Sequence, residues 1–390
     1  MTLDGIDRVA VLGAGNMGHG ISEVAALAGY DVTMRDVEAE IVDEGYDEIV
    51  WSVEKLAESG QIEDAPGDVL ARIDTTTDLA AAVADADVVI EVVPEDMAIK
   101  REVFAEIDEH APADAILASN TSSLSVSDIA AATDRPERVV GTHFFNPPVK
   151  MDLVEVIYGA ETTDETAETA YAFCESLGKT PIYVEKDVHR FVVNNVLGPF
   201  IDEPNWMVSK GEATIREADA AMVHRRGYPM GPFELLDMTG IEISHHIREA
   251  GGIEIPPLMA EKVAAGDYGQ KTGKGYYDYE NGDGVDYEAG DGEGFDAFRV
   301  EATIINEAAH LIGDGVATAD AVDTGMTLGT GWPDGPCERG DDIGLDTVLE
   351  KLRDLHDEYG AERYEPAPYL VELVEDGRTS HAAGAGFHEY

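Results

Sequence analysis

The chain has 390 residues, enough for two or three domains, and its 44% apolar and 7% aromatic content excludes a globally disordered polypeptide. Asp and Glu number 80 against 26 Lys and Arg, a net charge of −54, which argues against any partner that requires a basic footprint, nucleic acid above all. No stretch reaches the ~18 uninterrupted apolar residues of a membrane-spanning helix, and two cysteines, Cys174 and Cys337, exclude both a disulfide scaffold and a cysteine-rich metal site.

In chain order, Arg8-Val-Ala-Val-Leu12 reads as a short buried strand. It is followed by the turn Gly13-Ala-Gly-Asn-Met-Gly18, an Ala-rich helix to about Ala28 with Gly29 as its stop, and a second strand, Asp31–Arg35, ending at Asp36. The stretch from Asp36 to Thr77 is longer than one crossover and predicts an inserted helical pair whose second arm includes Trp51–Ser59. Further strands are expected at Asp87–Val93, Ala115–Ala118 and Arg138–His143, with a helix over Met97–His110. Strands alternating with helices imply a parallel, doubly wound sheet.

From about Val188 the strand signal stops, and helical spacing punctuated by Gly and Pro takes over; Pro204 falls where it would kink or break a helix. Residues 280–296 hold seven acids, five glycines and no basic residue, the composition of a linker. An internal repeat follows. Gly227-Tyr-Pro-Met-Gly-Pro-Phe-Glu-Leu-Leu-Asp237 returns as Gly331-Trp-Pro-Asp-Gly-Pro-Cys-Glu-Arg-Gly-Asp341, and the same offset of 104 pairs Gly211 with Gly315, Met222 with Met326 and Gly240 with Gly344. The expected architecture is an α/β dinucleotide-binding (Rossmann-type) domain, residues 1–187, followed by two related all-α domains: 188–280, then the acidic Gly-rich linker 281–296, then a degenerate second copy at 297–390.

The charge carries information about solvent. Acids run through every segment rather than forming a tail, and only 10 of the 26 basic residues are Lys. Both features fit a salt-rich cytoplasm, where screening suppresses self-repulsion. The N-terminal residues show no basic end followed by an apolar segment, so a cytoplasmic location is expected.

Chemistry enters at two places. Gly13-x-Gly15-x-x-Gly18 follows a strand and opens a helix, and Asp36 stands at a strand end 23 residues after Gly13. The glycines permit a tight turn and close approach of a pyrophosphate to the helix N-terminus. Asp36 would accept hydrogen bonds from ribose hydroxyls and repel a 2′-phosphate, which selects NAD over NADP. The second constellation is Ser119-Asn-Thr-Ser-Ser123, His143-Phe-Phe-Asn-Pro-Pro148 and Leu153-Val-Glu-Val-Ile157. His143 comes where a strand ends, and Glu155, 12 residues on after a proline turn, could return to face it; a His–carboxylate pair suits a general base. Arg225-Arg226 is unusual in so acidic a chain and reads either as a surface pair or as a phosphate contact.

The sequence resembles the 3-hydroxyacyl-CoA dehydrogenases along almost its whole length. The resemblance is carried by Gly13–Gly18, Val89-Ile-Glu-Val-Val-Pro-Glu95, Ser119-Asn-Thr-Ser-Ser-Leu124, Gly141-Thr-His-Phe-Phe-Asn-Pro-Pro148, Leu153-Val-Glu-Val156, Gly231-Pro-Phe-Glu-Leu235 and Lys271-Thr-Gly-Lys-Gly-Tyr-Tyr277. It implies NAD-dependent interconversion of an (S)-3-hydroxyacyl-CoA and its 3-oxoacyl-CoA, with His143 as the catalytic base and Glu155 its orienting partner. It further implies substrate contacts from Ser122, Asn194 and Lys55. Cofactor contacts are implied for Gly13, Gly15, Met17, Gly18, Asp36, Glu95, Lys100 and Asn146, and no metal is implied. The family usually has Pro-Gly before the run that carries its Asn and an Arg after it; here the stretch is His189-Arg-Phe-Val-Val-Asn-Asn195. Single-copy relatives pair through the helical domain, so residues 297–390 are expected to pack on 188–279 as an internal pseudo-partner. A relative acting on a non-CoA hydroxy acid, and a non-catalytic NAD-binding protein on the same fold, remain as alternatives.

Overall fold

In the computed structural model, residues 2–280, 282 and 284–390 are described. The chain forms two compact units, Met1–Phe191 and Val192–Tyr390.

The first unit is built on an eight-stranded sheet: β1 (Arg8–Leu12), β2 (Asp31–Arg35), β3 (Ile73–Thr76), β4 (Val88–Glu91), β5 (Ile116–Ser119), β6 (Val139–Phe144), β7 (Leu153–Tyr158) and β8 (Thr180–Val184). Their order is β3-β2-β1-β4-β5-β6-β7-β8, with every neighbouring pair parallel except β6 and β7. β4, β5 and β6 are buried along their whole length and have no polar alternation, as a sheet covered on both faces requires. The direction of winding reverses between β1 and β4, and Leu12, Glu91, Ser119 and Gly141 stand in register across β1, β4, β5 and β6. The loops that leave these strands therefore share one edge, the edge along which ligands bind in open α/β sheets.

The helix expected at Met97–His110 spans those residues, started by the Asp96 carboxylate accepting the Ala98 and Ile99 amides. The inserted segment differs from expectation. Instead of a helical pair, Ala39–Glu58 is one helix of 20 residues, so Trp51 lies within its C-terminal half and the short helix Pro66–Leu70 leads into β3. Gly45 is no break: a Cβ there would collide with the Ala14 carbonyl, so this glycine lets the helix approach the Gly-rich turn.

The helix Asn16–Ala28 contains a buried acid. Glu23 is 1% exposed, and its carboxylate accepts from Ser52 Oγ at 2.6 Å. Burial raises its pKa from 4.5 to about 7, against a smaller opposing effect of the Ser52 bond. With the folded value above the unfolded one, the native state takes up a proton, and stability is lost as pH rises from 4.5 to about 7. Glu23→Gln should therefore stabilise the first unit at pH 8 by up to about 3 kcal/mol and change little near pH 4.5. Chemical denaturation at the two pH values checks this; an equal effect at both would contradict it.

The second unit is helical. Asp219 accepts the Phe233 and Glu234 amides at 2.9 and 3.1 Å at the start of the helix Pro232–Thr239. Asp323 accepts the Cys337 and Glu338 amides at 2.8 and 2.9 Å at the start of Pro336–Ile343. Asp237 holds the Tyr276 and Tyr277 amides, as Asp341 holds those of Phe387 and His388. The Asp pairs obey the sequence offset of 104. Tyr277 donates its hydroxyl to Asp219 at 2.7 Å, whereas His388 meets Asp323 through Nε2 at 2.9 Å.

Both helical segments, expected as separate domains, lie in this one unit. The helices Val193–Ser209 and Ala297–Gly313 are joined by Arg299, whose Nε meets the buried Glu203 at 2.5 Å. Trp332 packs on Phe200 and Tyr228, with ring centroids at 5.4 and 4.9 Å. The acidic stretch expected as a linker is packed at its C-terminal end: Phe295 is buried, and a Cβ on Gly292 would strike the Ala221 backbone. Asn281 and Asp283 of that stretch lie outside the described residues. Pro204 does not break its helix. Asn205 donates its side-chain amide to the Ile201 carbonyl at 2.9 Å, one residue along from Phe200, whose fourth-residue donor Pro204 lacks. Arg225 is exposed and donates to the Gly292 and Phe295 carbonyls, and the part-buried Arg226 meets Glu301 at 2.8 Å.

Candidate active site

The Gly-rich turn leaves β1 with the geometry its glycines permit. Gly13 has φ +125°, and a Cβ there would strike the Val92 carbonyl. A Cβ on Gly18 would overlap the Gly13 carbonyl, while one on Gly15 would meet nothing within 4 Å. Gly15 caps the helix Asn16–Ala28 without any side-chain bond to its first amides. An open, uncapped helix N-terminus beneath a glycine is what a pyrophosphate needs, so the residues present fit a dinucleotide. Met17 is half-buried against the core. Asp36 sits just past β2 and accepts the Ala14 amide at 2.9 Å and the Val37 amide at 2.7 Å, which fixes its carboxylate beside the turn.

The loop after β4 carries Glu95. One carboxylate oxygen, Oε1, accepts from Thr121 Oγ1 (2.7 Å), the Ser122 amide (2.9 Å), the Ser123 amide (3.1 Å) and, more distantly, Ser122 Oγ (3.3 Å). Burial works against ionisation of Glu95, but Lys100 and these donors outweigh it and hold the carboxyl below its usual range. Lys100, expected at the cofactor, is instead 1% exposed beneath the loop. Its ammonium meets Glu91 at 2.7 Å and Glu95 at 3.3 Å. The physical reason is charge: the buried Glu91 carboxylate, which also accepts from Ser119 Oγ at 2.6 Å, requires a counter-ion at that depth.

His143 is the fifth residue of β6, and the antiparallel register sets Glu155 of β7 directly opposite. His143 Nδ1 lies 2.7 Å from Glu155 Oε2, with Glu155 fully buried and His143 7% exposed. This contact fixes the ring's orientation and leaves Nε2 as the second nitrogen. The rings of Phe145 and Phe191 stand 4.5 and 6.1 Å from it. Asn120 Oδ1 accepts the Phe144 amide at 2.8 Å, tying the serine loop to the end of β6. Ser122 and His143 thus leave neighbouring strands at one sheet edge.

The remaining candidates are dispersed. Asn146 is exposed and accepts from Asn16 Nδ2 at 3.1 Å. Lys55 is exposed on the long helix and paired with Glu58 at 2.7 Å. Asn194 belongs to the second unit, in the first turn of the helix Val193–Ser209.

Sequence reasoning missed two supports. Asp187 accepts Ser125 Oγ at 2.7 Å and the Ser127 amide at 2.8 Å, anchoring the helix Val126–Ala130 after the serine loop. His189 Nδ1 lies 3.0 Å from the Ser123 carbonyl. His189-Arg190 stands where the family has Pro-Gly; Arg190 and the following Phe191 adopt φ +69° and +54°, and the left-handed region costs a non-glycine residue about 1–2 kcal/mol. The departure from Pro-Gly at 189–190 was the signal available in the sequence.

A phosphate-binding turn, an acid at the second strand end and a His–carboxylate pair on the same sheet edge together define a dinucleotide-dependent oxidoreductase. Comparison with known proteins gives the family. The 3-hydroxyacyl-CoA dehydrogenase NAD-binding domain matches residues 8–188, and the C-terminal domain of the same family matches 191–279 and 294–390. The chain is 40% identical over 279 residues to a probable 3-hydroxybutyryl-CoA dehydrogenase of Deinococcus radiodurans, covering 70% of this chain and 100% of the relative. It is 38% identical over 289 residues to the human mitochondrial hydroxyacyl-coenzyme A dehydrogenase, covering 70% and 92%. In structure it is similar to 3-hydroxybutyryl-CoA dehydrogenase from Escherichia coli, with a TM-score of 0.87 at 29% identity over 95% of this chain and 99% of the other. The chain belongs to the 3-hydroxyacyl-CoA dehydrogenase family, and its cofactor is NAD.

Proposed function

We propose that this enzyme interconverts (S)-3-hydroxyacyl-CoA and 3-oxoacyl-CoA, with short-chain substrates of the 3-hydroxybutyryl type foremost, and that His143 is its base. The observation that carries the reading is the 2.7 Å pair between His143 Nδ1 and the buried Glu155. With Nδ1 engaged, Nε2 receives the proton of the substrate 3-hydroxyl, and Glu155 stabilises the imidazolium that results. Ser122, held by Glu95, positions the 3-oxygen, and Asn194 is assigned to the thioester carbonyl on the resemblance. Gly13, Gly15, Gly18 and Asp36 would hold NAD, with Met17 and Asn146 beside them. NAD, when bound, would supply the hydride acceptor for the substrate C3. Lys100 acts through Glu95 and Glu91 rather than by touching the cofactor. The test is NADH oxidation with acetoacetyl-CoA in concentrated KCl, set against free 3-oxo acids. Turnover of the thioester alone is expected, and equal turnover of the free acids would overturn the CoA assignment.

Three further parts of the reading concern the chain as a whole. The net charge of −54, spread through every segment, supports a salt-adapted cytoplasmic enzyme. Its melting temperature and activity should fall in dilute buffer and recover in concentrated KCl; no change in either would count against this. Among the described residues, no helix is long and apolar enough to cross a membrane. Residues 297–390 are read as a degenerate second copy of the helical domain. The family's C-terminal domain matches two stretches, and the Deinococcus relative aligns over its full length with only 70% of this chain. By the offset of 104, Asn194 becomes Phe298, so the copy has no equivalent amide. Its role is then to cover the face of residues 188–279 that would otherwise pair between chains. A chain ending near Glu280 should dimerise or aggregate in light scattering; a monomeric, soluble, fully active truncation would end this idea.

A further inference from the structure

We propose that His245, His246 and Glu249 form a binding site for one divalent transition-metal ion of the zinc class. The three residues lie on the helix Ile241–Gly251 in the second unit, whereas His143 and Glu155 lie in the first. At 100° per residue, Glu249 projects between His245 and His246, one turn further on, so all three side chains fall within a third of the helix circumference. One ligand atom from each lies within 4.8 Å of both others. The two imidazoles stand nearly perpendicular, at 85°, with centroids 6.0 Å apart, so the rings do not stack against each other. Metal–ligand bonds of about 2.0–2.2 Å call for closer donors than this; His246 and Glu249 are exposed, and rotation of their side chains closes the gap.

Three surroundings favour a cation there. His245 Nδ1 is buried and has no hydrogen-bond partner, and ligation at this atom would remove the cost of leaving it unsatisfied. Glu249 lies in the last turn of its helix, whose dipole end is negative. The one arginine of that turn, Arg248, is buried and committed to Asp202 at 2.7 Å and to the Ser244 carbonyl at 2.8 Å, so it does not occupy the site. Two imidazoles and one carboxylate select ions such as Zn²⁺, Co²⁺ or Ni²⁺ over Mg²⁺ and Ca²⁺, which prefer all-oxygen shells. Three protein ligands leave positions for water.

The test titrates the full-length protein, without any affinity tag, with Zn²⁺ by calorimetry and with Co²⁺ by visible absorption. Excess Ca²⁺ is present throughout to occupy the acidic surface. One ion per chain is expected, together with a rise in melting temperature on adding Zn²⁺. His246→Gln and Glu249→Gln, both exposed substitutions, should each weaken binding by at least about tenfold and abolish the melting shift. Dehydrogenase activity should be unaffected, which serves as the check on folding. Unchanged binding in these two variants, or loss of binding to Ca²⁺ competition, would overturn the proposal. So would loss of the ion in His143→Gln, which would place it at the other unit.

Discussion

Replacing His143 by Gln should lower kcat by about 10²–10⁴-fold, the usual contribution of a positioned general base. Gln retains a hydrogen-bonding head near Glu155 but cannot take up the substrate proton at neutral pH. The loss should therefore fall on kcat, while NAD binding, measured by fluorescence titration, should change little. The turn after β1 and Asp36, proposed to hold the dinucleotide, lie outside β6. Glu155→Gln should give a smaller loss than His143→Gln, because the base survives without the charge that stabilises its protonated form. Rates within threefold of the parent for His143→Gln would remove this residue from the mechanism and leave the family membership without its chemistry.

Arg299→Met should destabilise the second unit by about 3–5 kcal/mol, the cost of removing one partner from a buried ion pair. Glu203 is 1% exposed. It accepts from Arg299 Nε at 2.5 Å, the Tyr364 hydroxyl at 2.6 Å and Arg363 Nε at 2.9 Å. Arg299 also reaches Glu212 at 2.8 Å and the Tyr364 hydroxyl at 2.7 Å, so one guanidinium joins residues on both sides of the acidic stretch. Removing it leaves a buried carboxylate with only the remaining Arg363 and Tyr364 contacts. Concentrated salt should not restore the loss, since buried pairs are poorly screened. Pairing the change with Glu203→Met should recover much of it, because two apolar side chains replace a charge left without its main counter-ion. Urea denaturation of the single and double variants decides the point; a loss under about 1 kcal/mol in Arg299→Met would show that the network is dispensable.

Local rules were sufficient where the cause of structure was local. The strand Arg8–Leu12, the Gly-rich turn and the helix to Ala28 follow from an apolar run, three glycines at fixed spacing and a terminal Gly29. The helix Met97–His110 follows from Asp96 as its cap. The offset of 104 was legible for the same reason: the Asp residues it pairs, Asp219 with Asp323 and Asp237 with Asp341, hold equivalent backbone amides, a role that tolerates few other side chains. Sequence alone set His143 and Glu155 12 residues apart around a proline turn, but their contact depends on strand register. A shift of one residue in the β6–β7 pairing would send Glu155 to the other face of the sheet.

The remainder was decided by tertiary packing. Lys100 was expected at the cofactor, but the buried Glu91 required a cation beneath the loop, and Arg225 and Arg226 found their partners in carbonyls and a carboxylate distant in sequence. Ala39–Glu58 is one helix where a helical pair was expected, and its Gly45 is the point where that helix meets the Ala14 carbonyl. In each case the sequence by itself determined which residue types were present and their local conformational bias. Only the folded chain determined which charges lost water, and a desolvated charge must find a partner wherever the fold provides one.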